Sequence, residues 1–450
     1  MFARKAYQYL MDWKTNRARE SALLVEGARR VGKSTLVKEF GRNEYKTHLL
    51  IDFSVAPDDI KKLFETSRDD LDAFFSYLSA YYSVKFHEHD TLVIFDEVQL
   101  FPTARGFLKH LVADGRYDYV ETGSLISIKR NIQGILIPSE EDAFELNPFD
   151  FEEFLGALGE GELAALLAVA AQNRKPLPDA IHRKAMRLFR EYMLVGGMPQ
   201  AVAKYVETKS FEDADRAKRG ILNLYRNDIV RYAQGNESKI VSIFEEIPAQ
   251  LSKHEKKFTL ASLDKNARMR RYDDAFFWLQ NAKIANLCYN ATDPSVGLGL
   301  YRERPTLKCY MADTGLLVTQ AFADRKTTPN QIYKAVLFDN LEINEGMLME
   351  NVVAQSLHAS GRKLFFYSRS NRADTADMIE IDFLVTEESG KKAKVCPIEV
   401  KSSKRYSTTS LDKFAKKFGG RIGNQYIFHT GNIKADGKRI WMPLYLALWL

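Results

Sequence analysis

Along the first third of the chain, short apolar segments alternate with longer stretches whose apolar residues recur every three or four positions. Ala22-Leu23-Leu24-Val25, His48 to Phe53, Thr91 to Phe95 and Tyr117 to Val120 have the length of strands, and their near-continuous apolar character fits strands buried on both faces. Leu36 to Phe40 reads as the opening of a helix, and helical spacing recurs over about 57–67, 70–84 and 103–114. Strands alternating with helices predict a parallel sheet with helices on its faces. From about 149 to 232 the pattern is helical, including the Ala- and Leu-rich stretch from Leu163 to Ala171. Gly196-Gly197-Met198-Pro199 interrupts it as a helix break and restart.

Beyond residue 236 a helix is predicted over 237–252, a short one over Thr259-Leu260-Ala261-Ser262-Leu263, and a third from Asp273 to Ala285, where Phe276, Phe277, Leu279 and Ile284 fall at helical spacing. This order reads as a winged-helix unit. The basic run Lys265-Asn266-Ala267-Arg268-Met269-Arg270-Arg271 ahead of the third helix suits phosphate contacts, and equally a docking surface for another domain. Further on, Glu345 to Val353 reads as a helix, Ile379 to Val385 as an alternating strand, and Val395 to Lys401 as a second strand, with a hairpin turn over Glu388-Ser389-Gly390-Lys391 between them.

At 450 residues the chain is too long for one ordinary core. The pattern divides it at 1–150, 151–235, 236–312 and 313–450. A net charge of +6 permits nucleic-acid binding without demanding it. Cys288, Cys309 and Cys396 are too few and too dispersed for a disulfide framework or a zinc cluster. No apolar run approaches the roughly 20 residues of a membrane span, and Met1 to Arg19 is charged throughout, like an amphipathic helix rather than a signal peptide. The expectation is a cytoplasmic protein with reduced thiols and no membrane partner.

Chemistry enters at Gly27-Ala28-Arg29-Arg30-Val31-Gly32-Lys33-Ser34-Thr35, between the first strand and the first helix of the sheet. G-x-x-x-x-G-K-[ST] in a strand–loop–helix context is a phosphate-binding loop. The glycines let backbone N–H groups turn inward around a phosphate chain. Lys33 supplies a point charge to the β- and γ-phosphates, and the Ser34 hydroxyl is placed to ligate Mg²⁺. ATP and Mg²⁺ are the ligands this predicts.

Thr91 to Phe95 runs into Asp96-Glu97. Ligands of parallel sheets sit beyond the carboxyl ends of the strands, which brings this pair beside the phosphate loop. Asp96 suits Mg²⁺, directly or through water, and Glu97 suits polarising the attacking water. At the next strand end, Glu121-Thr122-Gly123-Ser124 offers Ser124 as a γ-phosphate or lytic-water sensor, or as a helix N-cap.

The C-terminal third holds a second constellation. Side chains two apart on a strand point the same way, so Glu399 and Lys401 share a face, with Asp382 beside them across the hairpin. With Glu350 on the preceding helix, these residues resemble the D…E-x-K site of restriction-endonuclease-like nucleases. That resemblance implies two carboxylates holding Mg²⁺ and a lysine orienting the water, or a nuclease-like fold kept for binding alone. Arg362-Lys363, Ser368-Arg369-Ser370-Asn371-Arg372, Lys401, Lys404 and Arg405 form a basic, hydroxyl-rich margin suited to phosphate backbones, or a solvated face.

The phosphate loop, Phe95-Asp96-Glu97-Val98-Gln99, Thr122-Gly123-Ser124 and Glu145 to Phe154 together resemble bacterial and archaeal AAA-type P-loop ATPases that carry a C-terminal domain of unknown function (DUF4143). Gly196-Gly197-Met198-Pro199, Tyr225-Arg226-Asn227-Asp228-Ile229 and Met311 to Leu317 extend the likeness through nearly the whole chain. The fold it implies is α/β: an ATPase core, a helical lid, a winged-helix module and an α/β nuclease-like C-terminal domain of PD-(D/E)xK type. The Gly-Arg pair usual before the Leu-x-Pro segment is missing at Gln133 to Pro138, which leaves Arg130 and Arg116 as candidates for the arginine that reaches a neighbouring subunit. The function implied is Mg²⁺-dependent ATP hydrolysis in an oligomer acting on nucleic acid, DNA foremost. The alternative is a nucleotide-controlled signalling or defence switch that binds a protein partner and has no nuclease activity.

Overall fold

Ala22–Glu26 (β1), Thr47–Asp52 (β2), Thr91–Asp96 (β3), Asp118–Gly123 (β4) and Glu141–Glu145 (β5) form one sheet in the order β2-β3-β4-β1-β5, and every neighbouring pair is parallel. The computed structural model describes residues 2–123, 140–233, 235–337, 345–369, 378–389, 392–403 and 405–450. The chain divides into two units, Met1–Asn147 and Pro148–Leu450, and the sheet belongs to the first.

The first four strands are those the apolar runs predict. β3 and β4 are buried throughout, as strands covered on both faces must be. Helices Lys33–Glu44, Asp58–Thr66, Leu71–Tyr82 and Pro102–Asp114 are the crossovers. Phe53, Phe64, Phe74, Phe95 and Phe107 interlock beside the sheet with mostly edge-on or tilted rings. β5 carries no apolar signal. It is an edge strand, held by backbone pairing to β1 and by the two hydrogen bonds that Arg105 donates to Glu141.

In the second unit, helices Phe151–Ala157, Gly161–Asn173, Asp179–Val195, Pro199–Thr208, Phe211–Tyr232 and Glu237–Ser252 follow the predicted periodicity. Asp150 and Glu153 close a capping box on the first of them. The predicted helix at 259–263 is a single 3₁₀ turn, Leu260–Ser262, and the third helix stops at Asn281, so that Ile284 lies outside it and leads into a strand.

That strand is Ala285–Ala291 (β6), and it pairs antiparallel with Arg302–Met311 (β7). Phe365–Arg369 (β8), Ile379–Ser389 (β9), Lys392–Val400 (β10), Gln425–His429 (β11), Lys434–Asp436 (β12) and Arg439–Pro443 (β13) complete a sheet ordered β12-β13-β11-β10-β9-β8-β6-β7. Residues 236–312 and 313–450 thus contribute strands to the same sheet. Within it, helix Glu345–Ala359, the antiparallel meander β8-β9-β10, helix Thr409–Phe418 and β11 parallel to β10 follow one another in an α-β-β-β-α-β order.

The Gly196-Gly197 break meets the Met311 to Leu317 motif. Gly197 N–H donates to Asp313 Oδ2 at 2.5 Å, while Asp313 Oδ1 accepts from Leu316 N–H at 2.9 Å. A Cβ on Gly197 would stand 2.1 Å from the Phe149 carbonyl oxygen, and one on Gly315 would stand 2.5 Å from the Gly196 backbone. Both motifs are therefore packing contacts between backbones. Gly197→Ala should lower the urea midpoint of the second unit, at a cost of about 1–3 kcal/mol or more. Gly220→Ala should raise it, with a gain of about 0.5–1 kcal/mol in stability, because Gly220 lies inside a helix with nothing within 4 Å of its Cβ direction. Equal responses of the two variants in urea unfolding would contradict this account.

Candidate nucleotide site

The loop after β1 takes its shape from close backbone approach. A Cβ on Gly27 would meet the Leu146 carbonyl oxygen at 2.4 Å, and Gly32, with φ 99°, turns the chain into helix Lys33–Glu44. Arg30 also has a left-handed backbone, with φ 69°. Val31 is buried, whereas Arg29, Arg30 and Thr35 are exposed. Arg4 braces the loop by donating to the Val31 carbonyl at 3.1 Å and to the Asn147 carbonyl at 2.6 Å.

Lys33 lies back across the loop and donates to the carbonyls of Gly27 and Ala28 at 2.9 and 3.1 Å. Burial pushes its pKa down to about 8, against the pull of Glu97 and Asp96. Ser34 Oγ donates to Asp96 Oδ1 at 2.8 Å, and Thr122 Oγ1 donates to the same oxygen. The register explains this meeting: Phe95 lies opposite Glu121, so the next residues along, Asp96 and Thr122, end their strands together. Two hydroxyls and a carboxylate are hard oxygen donors of the kind Mg²⁺ takes, so the residues present fit the ion.

Glu97 is half-buried, with a left-handed backbone at φ 54°, and Gln99 Nε2 donates to its Oε2. The left-handed turn is a strained backbone for a glutamate, and the bond from Gln99 fixes its carboxylate. Ser124 lies outside the described residues, as do Arg130, Lys404 and residues 370–372. The hydroxyl that meets Asp96 at this strand end is that of Thr122. Arg116 is engaged within its own unit, donating to Asp114 at 2.7 Å and Asp72 at 2.6 Å. Arg4, Gln99 and Thr122 escape a reading by motif alone. The strand end Thr122-Gly123-Ser124 held a clue to the last, since a parallel partner exposes whichever hydroxyl shares its face.

In the second unit the nuclease-like residues gather, with additions. Asp382 Oδ2 accepts from Val400 N–H at 2.8 Å, and Lys401 Nζ lies 2.7 Å from Glu399 Oε2. Burial raises the Glu399 pKa to about 7, with Lys401 opposing it and Asp382 adding to it. Glu350 Oε1 accepts from Lys308 Nζ at 3.1 Å and from the Tyr310 hydroxyl, and its Oε2 accepts from Lys256 Nζ at 2.5 Å. Burial alone would raise the Glu350 pKa, but Lys308 and Lys256 hold it down at about 2. Lys308 also stands 3.5 Å from Glu380 and 3.7 Å from Asp382.

Two unit charges 4 Å apart interact by about 4 kcal/mol at an effective dielectric near 20. A divalent ion 4 Å from one of these ammonium groups would be repelled by about twice that. Among the described residues, no group of three or more His, Cys, Asp or Glu is arranged to hold a metal. The C-terminal residues as placed do not fit a nuclease metal. Lys308 carries a signal of its own, as a lone charge within the apolar run Leu307 to Met311. From the basic margin, Arg362 donates to the carbonyls of Thr386 and Leu450. The three cysteines are free and buried, and among the described residues no helix is long and apolar enough to cross a membrane.

The chain is similar to known families in three segments. Residues 19–155 match the model of an AAA domain (AAA_14), residues 186–327 a domain of unknown function (DUF8612), and residues 345–449 a domain of unknown function (DUF4143). No curated protein sequence matches it. Among solved structures, PCH-2 of C. elegans aligns at 13% identity over 63% of this chain and 69% of its own, with a TM-score of 0.24. A signal-transduction ATPase with numerous domains and a tetratricopeptide-repeat sensor, from Pyrococcus horikoshii, aligns at 10% identity over 80% of this chain and 49% of its own, with a TM-score of 0.27. Cdc6p of Pyrobaculum aerophilum aligns at 11% identity over 75% of this chain and 94% of its own, with a TM-score of 0.24. The phosphate loop and the Asp96-Glu97 strand end thus lie within the segment similar to the AAA domain model, residues 19–155, and the D…E-x-K residues within the segment similar to the DUF4143 model, residues 345–449.

Proposed function

We propose that the protein is a Mg²⁺-dependent ATP-hydrolysing AAA-type protein that self-associates and couples nucleotide turnover to nucleic acid, DNA foremost, through its second unit. The observation that carries the ATPase reading is the convergence of Ser34 and Thr122 on one oxygen of Asp96, beside Glu97 and in the same AAA domain as Lys33. In this reading the loop amides and Lys33 take the β- and γ-phosphates, and Ser34 and Asp96 hold Mg²⁺. When bound, the ion offsets charge that builds on the phosphoryl oxygens. Glu97 accepts a proton from the attacking water, oriented by its bond from Gln99. Thr122 keeps Asp96 turned toward Ser34. Arg116 is ion-paired to Asp72 and Asp114, and the arginine that completes the site is assigned to a neighbouring copy.

The nucleic-acid reading draws on the exposed Lys265, Arg268, Arg270 and Arg271, and on the α-β-β-β-α-β order that carries Glu350, Asp382, Glu399 and Lys401. A second reading, the nucleotide-controlled switch with a protein partner and no cleavage, is favoured by one observation: Glu350 and Asp382 already face Lys308.

Steady-state hydrolysis tests both. Lys33→Ala should abolish ATP binding by removing the phosphates' counter-charge, and tight binding by that variant would refute the assignment. Glu97→Gln should bind ATP and lose turnover about 100-fold or more. Stimulation by single-stranded, duplex or branched DNA that fades with salt is the expected signature of coupling. Turnover indifferent to every DNA, with nucleotide tightly retained, would move the assignment to the switch.

The Lys33 environment adds a pH dependence. With a pKa lowered to about 8 in the free protein, its charge is present at lower pH and is lost as pH rises through 8. Bound phosphates favour the charged form, so ATP affinity should fall above pH 8, by at most about tenfold per pH unit for one proton. Calorimetry in buffers of different ionisation enthalpy should register proton uptake on binding at pH 8.5. An affinity flat from pH 7 to 9.5 would contradict it.

A further inference from the structure

The carboxylates of the D…E-x-K cluster surround a lysine. Lys308 Nζ lies 3.1 Å from Glu350, 3.5 Å from Glu380 and 3.7 Å from Asp382, and its side chain is 1% exposed. We propose that Lys308 is the resident cation of this cluster, taking the place of a divalent metal, so that the C-terminal region is built to bind and not to cleave phosphodiester bonds. The proposal refines, and rests on, the nuclease-like reading of residues 313–450.

Three features of the surroundings make the ammonium a fixture. Its strand is pinned: Lys308 lies in β7 opposite Cys288 of β6, between the buried Leu307 and Cys309, with the Phe366 ring 5.1 Å from Nζ. With its side chain buried there, Lys308 is not free to swing aside for an ion as a surface lysine is. Secondly, a buried charge persists only if matched, and the matching groups here are the acids that a metal would need. Thirdly, other groups already contact three of these carboxylates. Lys256 and the Tyr310 hydroxyl take Glu350, Val400 N–H takes Asp382 Oδ2, and Lys401 pairs with Glu399. Glu350, Glu380 and Asp382 thus share Lys308 and Lys256, three negative groups against two positive ones, and a divalent ion would have to expel an ammonium to enter.

The arrangement also has a constructive role. Lys308 joins β7 to β9 and to helix Glu345–Ala359, and Lys256 adds the segment after helix Glu237–Ser252. The residues that would cut nucleic acid in a metal enzyme tie the sheet to its helix here.

The test is Mn²⁺ binding by the full chain carrying Asp96→Asn, which removes the carboxylate of the nucleotide site. With Lys308 intact, calorimetric titration should give no saturable Mn²⁺ site. Adding Lys308→Met should create one saturable site per chain, and adding Asp382→Asn to that variant should remove it. Lys308→Met should also lower the thermal midpoint by about 5 °C or more, and Mn²⁺ should restore part of the loss. Where Lys308→Met fails to fold, Lys308→Gln serves the same purpose, and the first titration needs no change at Lys308. Saturable Mn²⁺ binding, or Mn²⁺-dependent DNA cleavage, by the Lys308-containing chain that Asp382→Asn abolishes would overturn the proposal. So would a folded Lys308 variant that gains no Mn²⁺ site. ATP hydrolysis by the unmodified chain is read separately, so failure here leaves the ATPase reading standing.

Discussion

A carboxylate taken out of water must be met by donors, and leaving it unmatched costs on the order of 3–5 kcal/mol. That requirement recurs at each centre of this protein. Asp96 receives Ser34 and Thr122. Glu141 receives two bonds from Arg105, beside the fully buried Glu121. Asp215 receives Arg219, Thr319, Tyr333 and the Thr328 amide. Glu350 receives Lys308, Lys256 and Tyr310. Most of these donors lie tens of residues away in sequence, so each match ties separate elements together, and disrupting one loosens more than one contact.

The kind of donor separates the two constellations. Around Asp96 they are hydroxyls, which satisfy lone pairs and leave the negative charge in place. Around Glu350 two of the three are ammonium groups, which offset that charge from within. Carboxylates thus sit among neutral hydroxyls in one unit and beside ammonium groups in the other. Counting acidic residues in sequence cannot tell these apart, because the deciding groups are their partners.

The strand β4 shows how narrow the decision is. Its residues alternate between faces, so Thr122 reaches Asp96 while its neighbour Glu121 turns to Arg105. Burial, and then Glu141, raise the pKa of Glu121 well above the ordinary carboxylate range, with Arg105 opposing them. A slip of one residue in register would exchange a hydroxyl for a buried acid beside the nucleotide-site carboxylate.

Much of the nucleotide site was legible in the chain because its constraints are local. Gly27 and Gly32 stand where backbone approach or a left-handed turn excludes a Cβ, Lys33-Ser34 follows directly, and Asp96-Glu97 ends an apolar strand. The four apolar strands and the helices between them were likewise readable, since periodicity records burial face by face. β5 was not, because an edge strand of acidic residues owes its place to pairing with β1 and to Arg105. Alternation in sequence placed Glu399 and Lys401 on one face and the hairpin brought Asp382 beside them, but Lys308, Lys256, Tyr310 and Glu380 joined only through the sheet. The sequence by itself determined which backbone positions demand glycine and which segments must be buried. Only the tertiary structure decided which charges meet, because that depends on strand register and on contacts between residues far apart in the chain.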